Sequence, residues 1–194
     1  LLGAGLSMLL LRLPDASQEQ YEDCIRAIEP RHRSKVILAD YFHLVPMAGL
    51  GGIHLKASRQ KEWKHWQEVA QTQRIMVSAH SLDELESLPF CPDLALLSPV
   101  FDSISKGGYH ANIDLDECRS RLPKLPFPVL ALGGITPDNY PLVCSYGFAG
   151  GATLGYLAEQ VDAMEEAFSR FARPEVLTIA GHDPSSGAGL TADV

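Results

Sequence analysis

Short apolar segments alternate with helical segments along most of the chain, and this alternation is the strongest constraint on the fold. The helical segments carry apolar residues at spacings of three and four, as at Tyr21, Cys24 and Ile28. Strands that alternate with helices predict a parallel sheet whose helices lie on the outside. The seven strand candidates between residues 1 and 172 are 8–11, 36–39, 52–55, 75–78, 94–97, 129–131 and 152–154.

Polar residues and glycines follow one strand after another, and they are not confined to a single crossover point. This distribution favours a barrel over an open sheet, because the loops of a barrel all meet at the carboxyl ends of its strands. Residues 1–6 are typical of the end of a helix and its glycine, which places a strand before them. We therefore expect an α/β fold, a (β/α)8 TIM barrel that lacks its first strand in this fragment.

The last part of the chain departs from this pattern. Residues 173–175 are typical of a short linker, and an apolar segment then leads from Val176 into a glycine-rich turn at 181–189. We expect a barrel domain over residues 1–172, a linker at 173–175 and the incomplete beginning of another domain at 176–194.

Charge and composition exclude several classes of function. The formal net charge is −8 and no long basic run is present, which argues against a nucleic-acid partner. No apolar segment approaches the roughly 18 residues needed to span a membrane. The cysteines Cys24, Cys91, Cys118 and Cys144 lie far apart, so we expect reduced, buried thiols and a cytoplasmic location.

Two strand ends combine the residue types that bind a phosphate. Residues 94–97 lead into a loop that carries Ser103, Ser105 and Lys106 and then two glycines, and residues 129–132 lead into Gly133 and Gly134. Hydroxyls donate hydrogen bonds, the ammonium group adds positive charge, and glycines allow close approach of the backbone. The sequence therefore predicts one shared anion site at the ends of the strands.

The segments 52–55, 77–81, 98–106 and 131–135 occur together and in the order found in thiamine phosphate synthases and their thiazole tautomerase relatives. The chain resembles this family over about residues 1–172. Residues 178–189 are similar to the start of hydroxymethylpyrimidine phosphate kinases, which act in the same pathway.

This resemblance implies a transferase that couples an aminopyrimidine diphosphate to a thiazole phosphate and releases diphosphate, with Mg²⁺ as the cofactor. It implies that Lys106 and Ser78 act on the leaving group and that Asp40 binds the metal. Both substrates are small molecules, and a homodimer is the expected assembly. The substrate-binding residues that the resemblance implies are Arg12, Ser103, Ser105, Gly133, Gly134 and Gly155.

The chain departs from the family pattern at positions that carry charge. Where the family has Gln-x-Arg-x-Lys, this chain keeps only Arg12 of the three, and its Asn-Asp pair is reduced to Asp40. The family's Gln-x-Asp region is replaced by residues 56–59, so one of two expected metal carboxylates is absent. Tautomerases carry a histidine where this chain has Pro99, which favours the synthase.

Two other functions stay open at this point. A thiazole tautomerase-like or catalytically reduced protein that binds thiazole phosphate would explain the missing charges, and a non-enzymatic phosphate-binding regulatory barrel is the third possibility. Single residues also have simpler explanations. Asp40 can be the N-cap of a helix, Gly133 and Gly134 can form a tight turn, and Ser78 can cap its own turn. His54 is expected to be a hydrogen-bonded residue of the core.

Overall fold

The sheet contains eight strands in the part of the chain that the structure describes. The computed structural model describes residues 1–68, 73–102, 113–171 and 176–180, the last of these as backbone. The strands are β1 (Met8–Leu11), β2 (Val36–Leu38), β3 (Gly52–Leu55), β4 (Arg74–Ala79), β5 (Leu94–Leu97), β6 (Val129–Leu132), β7 (Gly150–Thr153) and β8 (Val176–Ala180).

Helices connect the strands, and many of them are short. A capping box at Ser17 and Gln20 starts the longest described helix, because each side chain accepts a hydrogen bond from the backbone N–H of the other residue. No described helix is long and apolar enough to cross a membrane. The α-helices are α1 (Gln18–Ala27), α2 (Leu44–Ala48), α3 (Trp63–Gln67), α4 (Leu82–Glu86), α5 (Leu115–Arg121), α6 (Tyr140–Ser145), α7 (Gly155–Ala158) and α8 (Met164–Ser169), and the 3₁₀ helices are Pro30–Lys35, Ala57–Glu62, Leu122–Lys124 and Val161–Ala163.

The first seven strands form one curled, all-parallel sheet in chain order. Each strand from β1 to β6 pairs in parallel with the next strand along the chain. The prediction of an α/β fold with a parallel sheet is confirmed. All carboxyl ends of these strands lie at one edge of the sheet, which we call the carboxyl rim.

The backbone of β8 lies between the two edges of this curled sheet. It pairs in parallel with β1 on one side and with β7 on the other, so the strand order closes through β8. The sequence predicts that residues 176–180 begin another domain, and that division stays a prediction. The edge strands of a curled sheet present unpaired backbone N–H and C=O groups, and an apolar strand satisfies them. A kinase-like domain over residues 176–194 stays a prediction.

Alternate residues of each strand face two different parts of the core. Leu9 and Leu11 pack outward under the helices, whereas Leu10 packs inside the curl of the sheet. The inner face is mostly apolar. It also carries two polar residues, His54 of β3, which is only 4 % exposed, and Ser78 of β4. The inner apolar residues are Leu10, Ile37, Ala39, Met76, Leu94, Leu96, Leu130 and Ala152.

The cysteines match the sequence prediction only in part. All four thiols are free, as expected. The expected burial is correct for Cys118 and wrong for Cys91 and Cys144, which are exposed. Burial raises the pKa of Cys118 to about 11, so this thiol is protonated at neutral pH.

Candidate functional site

The parallel topology brings the described site candidates to the carboxyl rim. Arg12 directly follows β1, Asp40 lies two residues after β2, and Ser78 is the last residue but one of β4. Gly133 and Gly134 follow β6, and Gly155 begins α7 after β7. Ser103, Ser105 and Lys106 lie outside the described residues, so their roles stay predictions.

Gly133 and Gly134 pack against the loop that follows β5. The backbone N–H of Phe101 donates to the carbonyl oxygen of Gly133 at 3.1 Å, and that of Val100 donates to Leu132 at 2.9 Å. A Cβ atom on Gly133 would lie 3.0 Å from Pro99, so the two loops have no space between them for a side chain. The tight turn foreseen from the sequence is present, and it fixes the described beginning of the β5 loop against the β6 loop.

Asp40 lies between two cations. Its Oδ2 atom accepts a hydrogen bond from Lys56 Nζ at 3.3 Å, and its Oδ1 atom accepts one from Arg59 Nη1 at 3.3 Å. The Asp40 side chain is 35 % exposed, so the cluster lies at the surface of the rim. Asp40 is not the N-cap of α2, because that position belongs to His43.

Arg59 is held firmly by two further groups. Its Nε and Nη2 atoms donate to the two carboxylate oxygens of Glu62 at 3.0 and 2.9 Å. Its guanidinium group stacks over the ring of Phe42, 4.5 Å from the ring centre. The hydrogen bonds from Arg59 and Trp66 lower the pKa of Glu62 to about 2. Arg59 therefore has a fixed position, whereas the Lys56 ammonium group contacts only Asp40 among the described residues.

Buried His54 and half-buried Ser78 form a pair on the inner face of the sheet. The His54 Nε2 atom lies 2.7 Å from the Ser78 hydroxyl oxygen, and Nδ1 has no hydrogen-bond partner among the described residues. Burial, with further contributions from the charges of Arg12 and Lys56, lowers the pKa of His54 to about 3. The imidazole is therefore neutral at physiological pH. The Gln60 side chain donates to the Ser78 carbonyl oxygen at 2.8 Å, which fixes this end of β4.

Replacement of Ser78 by alanine is expected to destabilise the protein by about 1–3 kcal/mol, because it leaves the second ring nitrogen of His54 buried without a partner. Urea denaturation measures this loss. Ser87→Ala is the control, since the Ser87 hydroxyl is exposed and donates only to the Glu84 carbonyl oxygen. Equal stability of the two variants would contradict a buried His54–Ser78 hydrogen bond.

Arg12 is exposed at the rim, next to a buried tyrosine. The following residue, Leu13, donates its backbone N–H to the Tyr21 hydroxyl at 3.0 Å, which fixes the chain where it leaves β1. Burial raises the pKa of Tyr21 to about 12, so the hydroxyl stays protonated. No ion pair with Arg12 occurs within the described residues.

The residues around Asp40 do not fit a Mg²⁺ site. Magnesium needs oxygen ligands in octahedral geometry. Both oxygens of Asp40 already accept hydrogen bonds from cations, and the described ranges contain no group of three metal-ligating side chains. Lys56 and Arg59 would also repel a divalent cation. The role of Asp40 as a metal ligand stays a prediction, and the chemistry of its neighbours argues against it.

Comparison with known proteins identifies the family. The sequence model of the thiamine monophosphate synthase family matches residues 1–156. The chain belongs to this family. Curated thiamine phosphate synthases are similar over most of its length. The protein of Salmonella paratyphi B is 28% identical over 186 residues, which is 93% of this chain and 85% of that protein. The protein of Caldicellulosiruptor saccharolyticus is 27% identical over 151 residues, 76% of this chain and 68% of that protein.

Solved structures support the fold. A thiamine phosphate pyrophosphorylase from Bacteroides thetaiotaomicron matches with a TM-score of 0.70 and 24% identity, and covers 87% of this chain and 84% of its own. A thiamine phosphate pyrophosphorylase from Pyrococcus furiosus matches with a TM-score of 0.69 and 19% identity, over 88% of this chain and 83% of its own. The curled parallel sheet is therefore the fold of thiamine monophosphate synthase family members.

Sequence reasoning missed Lys56, Arg59 and Gln60 as parts of the site. The sequence alone shows residues 56–59 as a departure from the family pattern and assigns no role to their charges. A signal was present, because they directly follow β3, and β2 and β3 are neighbours whose carboxyl ends meet. Because the two strand ends are adjacent, Lys56 and Arg59 after β3 are expected to contact Asp40 after β2.

Proposed function

We propose that the carboxyl rim binds an aminopyrimidine diphosphate and a thiazole phosphate and joins them to form thiamine phosphate. Membership of the thiamine monophosphate synthase family is the observation that carries this proposal. The position of Arg12, Ser78, Gly133 and Gly134 at one rim supports it, because two phosphorylated substrates need donors and positive charge in one place. Transferase chemistry follows from the family.

The reaction breaks one bond and forms another at the same carbon. The C–O bond to the diphosphate breaks and its electron pair leaves with the diphosphate, and the thiazole nitrogen then donates its lone pair to the pyrimidine methylene carbon. The protein's task is to stabilise the negative charge of the leaving group and to align the nitrogen. Arg12 and Lys106 are proposed to stabilise that charge.

In this proposal the Ser78 hydroxyl donates a hydrogen bond to an oxygen of the leaving group and keeps its proton. Its oxygen then accepts a hydrogen bond from His54 Nε2–H, which requires the neutral tautomer with the proton on Nε2. The low pKa of His54 supports this assignment, because a neutral ring adds no charge inside the sheet. Ser103, Ser105 and the backbone of Gly133, Gly134 and Gly155 are proposed to hold the thiazole phosphate.

A second candidate is a protein that binds thiazole phosphate without coupling it to the pyrimidine. The pairing of Asp40 with Lys56 and Arg59 favours this possibility, because it alters the region where the family resemblance implies a metal. Incubation of the protein with both substrates, followed by chromatographic measurement of thiamine phosphate, separates the two. Product formation supports the synthase. Binding of thiazole phosphate without formation of thiamine phosphate supports the second candidate. If the protein binds neither substrate, the remaining possibility is the non-enzymatic regulatory barrel.

Lys106→Ala is expected to lower kcat/KM about 100-fold, because it removes a charge that stabilises the departing diphosphate. Steady-state kinetics with both substrates measures this effect. Lys124→Ala is the matched control, since Lys124 is exposed and precedes β6, at the edge of the sheet opposite the carboxyl rim. A similar decrease in both variants would contradict the role of Lys106.

The proposal includes a TIM-like barrel, and the curled parallel sheet of β1 to β7 supports it. A homodimer, a cytoplasmic location and the absence of nucleic-acid and membrane partners stay predictions. Analytical ultracentrifugation tests the homodimer directly.

A further inference from the structure

The carboxyl rim carries cations that were not among its predicted binding residues. Besides Arg12, it holds Lys56 and Arg59, which follow β3 on the same edge. The Arg59 guanidinium group donates two hydrogen bonds to the Glu62 carboxylate, at 3.0 and 2.9 Å. The Asp40 carboxylate forms ion pairs with both Lys56 and Arg59. The Lys56 ammonium group is thus the cation of this cluster that is least committed to a partner.

The contacts of Lys56 leave it able to bind an anion. Its distance of 3.3 Å from Asp40 is longer than the roughly 2.7–2.9 Å of a strong charge-assisted hydrogen bond. An ammonium group has three donors, and Asp40 accepts from one of them among the described residues. Lys56 is 35 % exposed, so a ligand at the rim can reach it.

Three groups that suit an oxyanion lie at this part of the rim. The Ser78 hydroxyl lies 2.7 Å from the His54 ring, Lys56 follows His54 directly after β3, and Arg12 follows β1. A hydroxyl and two cations at one rim suit a strongly charged anion. His54 is neutral and therefore does not weaken the attraction.

We propose that Lys56 supplies to the leaving diphosphate the positive charge that a metal ion would otherwise bring, and that the Asp40 carboxylate competes with the diphosphate for Lys56. This inference rests on the proposed function, since it assigns the diphosphate to the Arg12–Ser78 side of the rim. As the C–O bond breaks and its electron pair moves to the diphosphate, Lys56 donates N–H hydrogen bonds to the developing charge. Diphosphate binding by this chain is then independent of Mg²⁺.

Isothermal titration calorimetry with inorganic diphosphate tests this directly on the full chain. We expect the wild-type protein to bind diphosphate in EDTA. Lys56→Met is expected to weaken that binding at least tenfold, because an ion-paired hydrogen bond to phosphate is lost. Lys61→Met is the matched control, since Lys61 is an exposed lysine in the adjacent 3₁₀ helix, and its affinity should equal that of the wild type.

Asp40→Asn separates the two roles of this carboxylate by the sign of its effect. If Asp40 competes with the diphosphate for Lys56, its removal frees a cation and strengthens diphosphate binding in EDTA. If Asp40 binds a metal, the variant loses only the binding that depends on Mg²⁺. Circular dichroism and thermal unfolding of each variant show whether the fold is kept, and titration of Mg²⁺ into diphosphate without protein corrects for their complex in solution.

Binding by the wild type only in the presence of Mg²⁺, or equal affinities of wild type and Lys56→Met, would overturn the inference. Its failure is distinguishable from failure of the proposed function. A chain that binds diphosphate in EDTA but forms no thiamine phosphate refutes the synthase and keeps the anion site. A chain that forms thiamine phosphate only with Mg²⁺ keeps the synthase and refutes the role of Lys56.

Discussion

Gly134→Ala is expected to lower the free energy of unfolding by roughly 2–5 kcal/mol, since it combines backbone strain with a steric clash. The φ angle of Gly134 is +63°, a conformation that alanine adopts at a cost. An added Cβ would lie 2.8 Å from the Cβ of Phe101 and would overlap the carbonyl oxygen of Asp102. Both loops would have to move apart, and the β6 backbone would lose its position at the rim.

Gly49→Ala is the matched control for this prediction. Gly49 has almost the same φ angle, +67°, but no atom lies within 4 Å of its Cβ position. Its replacement therefore reports backbone strain alone, about 1 kcal/mol. Urea denaturation of both variants gives the difference, which is the cost of the clash. If the two variants lose the same stability, the β5 and β6 loops are not packed as described. Thiazole phosphate affinity should fall for Gly134→Ala and stay unchanged for Gly49→Ala.

The strands were predictable because their residues are apolar on both faces. Six of the seven predicted strands start within one residue of their observed positions, and the exception is β7. This strand begins with Gly150 and Gly151, which have no side chains, so the apolar pattern that marks a strand is absent there. A Cβ on Gly151 would lie 3.1 Å from Ile135 and Tyr140, so close packing of neighbouring elements explains the glycine there. Packing of this kind is invisible in a single sequence.

The sequence predicts which residues lie at the carboxyl rim, but it does not predict the contacts between their side chains. Parallel strands place their carboxyl ends together, so the convergence of Arg12, Ser78 and Gly134 follows from the fold class. The ion pairs of Asp40 join residues 16 and 19 positions apart, and they depend on the register of β2 against β3. His54 was correctly predicted as a hydrogen-bonded core residue. Its partner Ser78 required the register of β3 against β4.

The stability of the protein is expected to fall steeply as the pH is lowered below about 6.5, and buried His54 is the cause. Burial, with help from Arg12 and Lys56, holds its pKa in the folded state at about 3. In the unfolded chain the imidazole takes up a proton near pH 6.5. Between about pH 3 and pH 6.5 the unfolded state therefore binds more protons than the folded state. Lowering the pH in this range shifts the equilibrium towards the unfolded state.

The expected loss is roughly 1.4 kcal/mol for each pH unit below about pH 6, and the full contribution of His54 is present above pH 6.5. Urea denaturation between pH 7.5 and 5 measures this slope in a range where most carboxylates stay ionised. His54→Gln keeps a side-chain amide near Ser78 and removes the titrating ring, so its stability should be nearly flat over this range. His43→Gln is the control, because His43 is exposed and should keep the wild-type slope. A wild-type slope in His54→Gln would show that another group binds the proton, and the neutral His54 that orients Ser78 would then lose its main support.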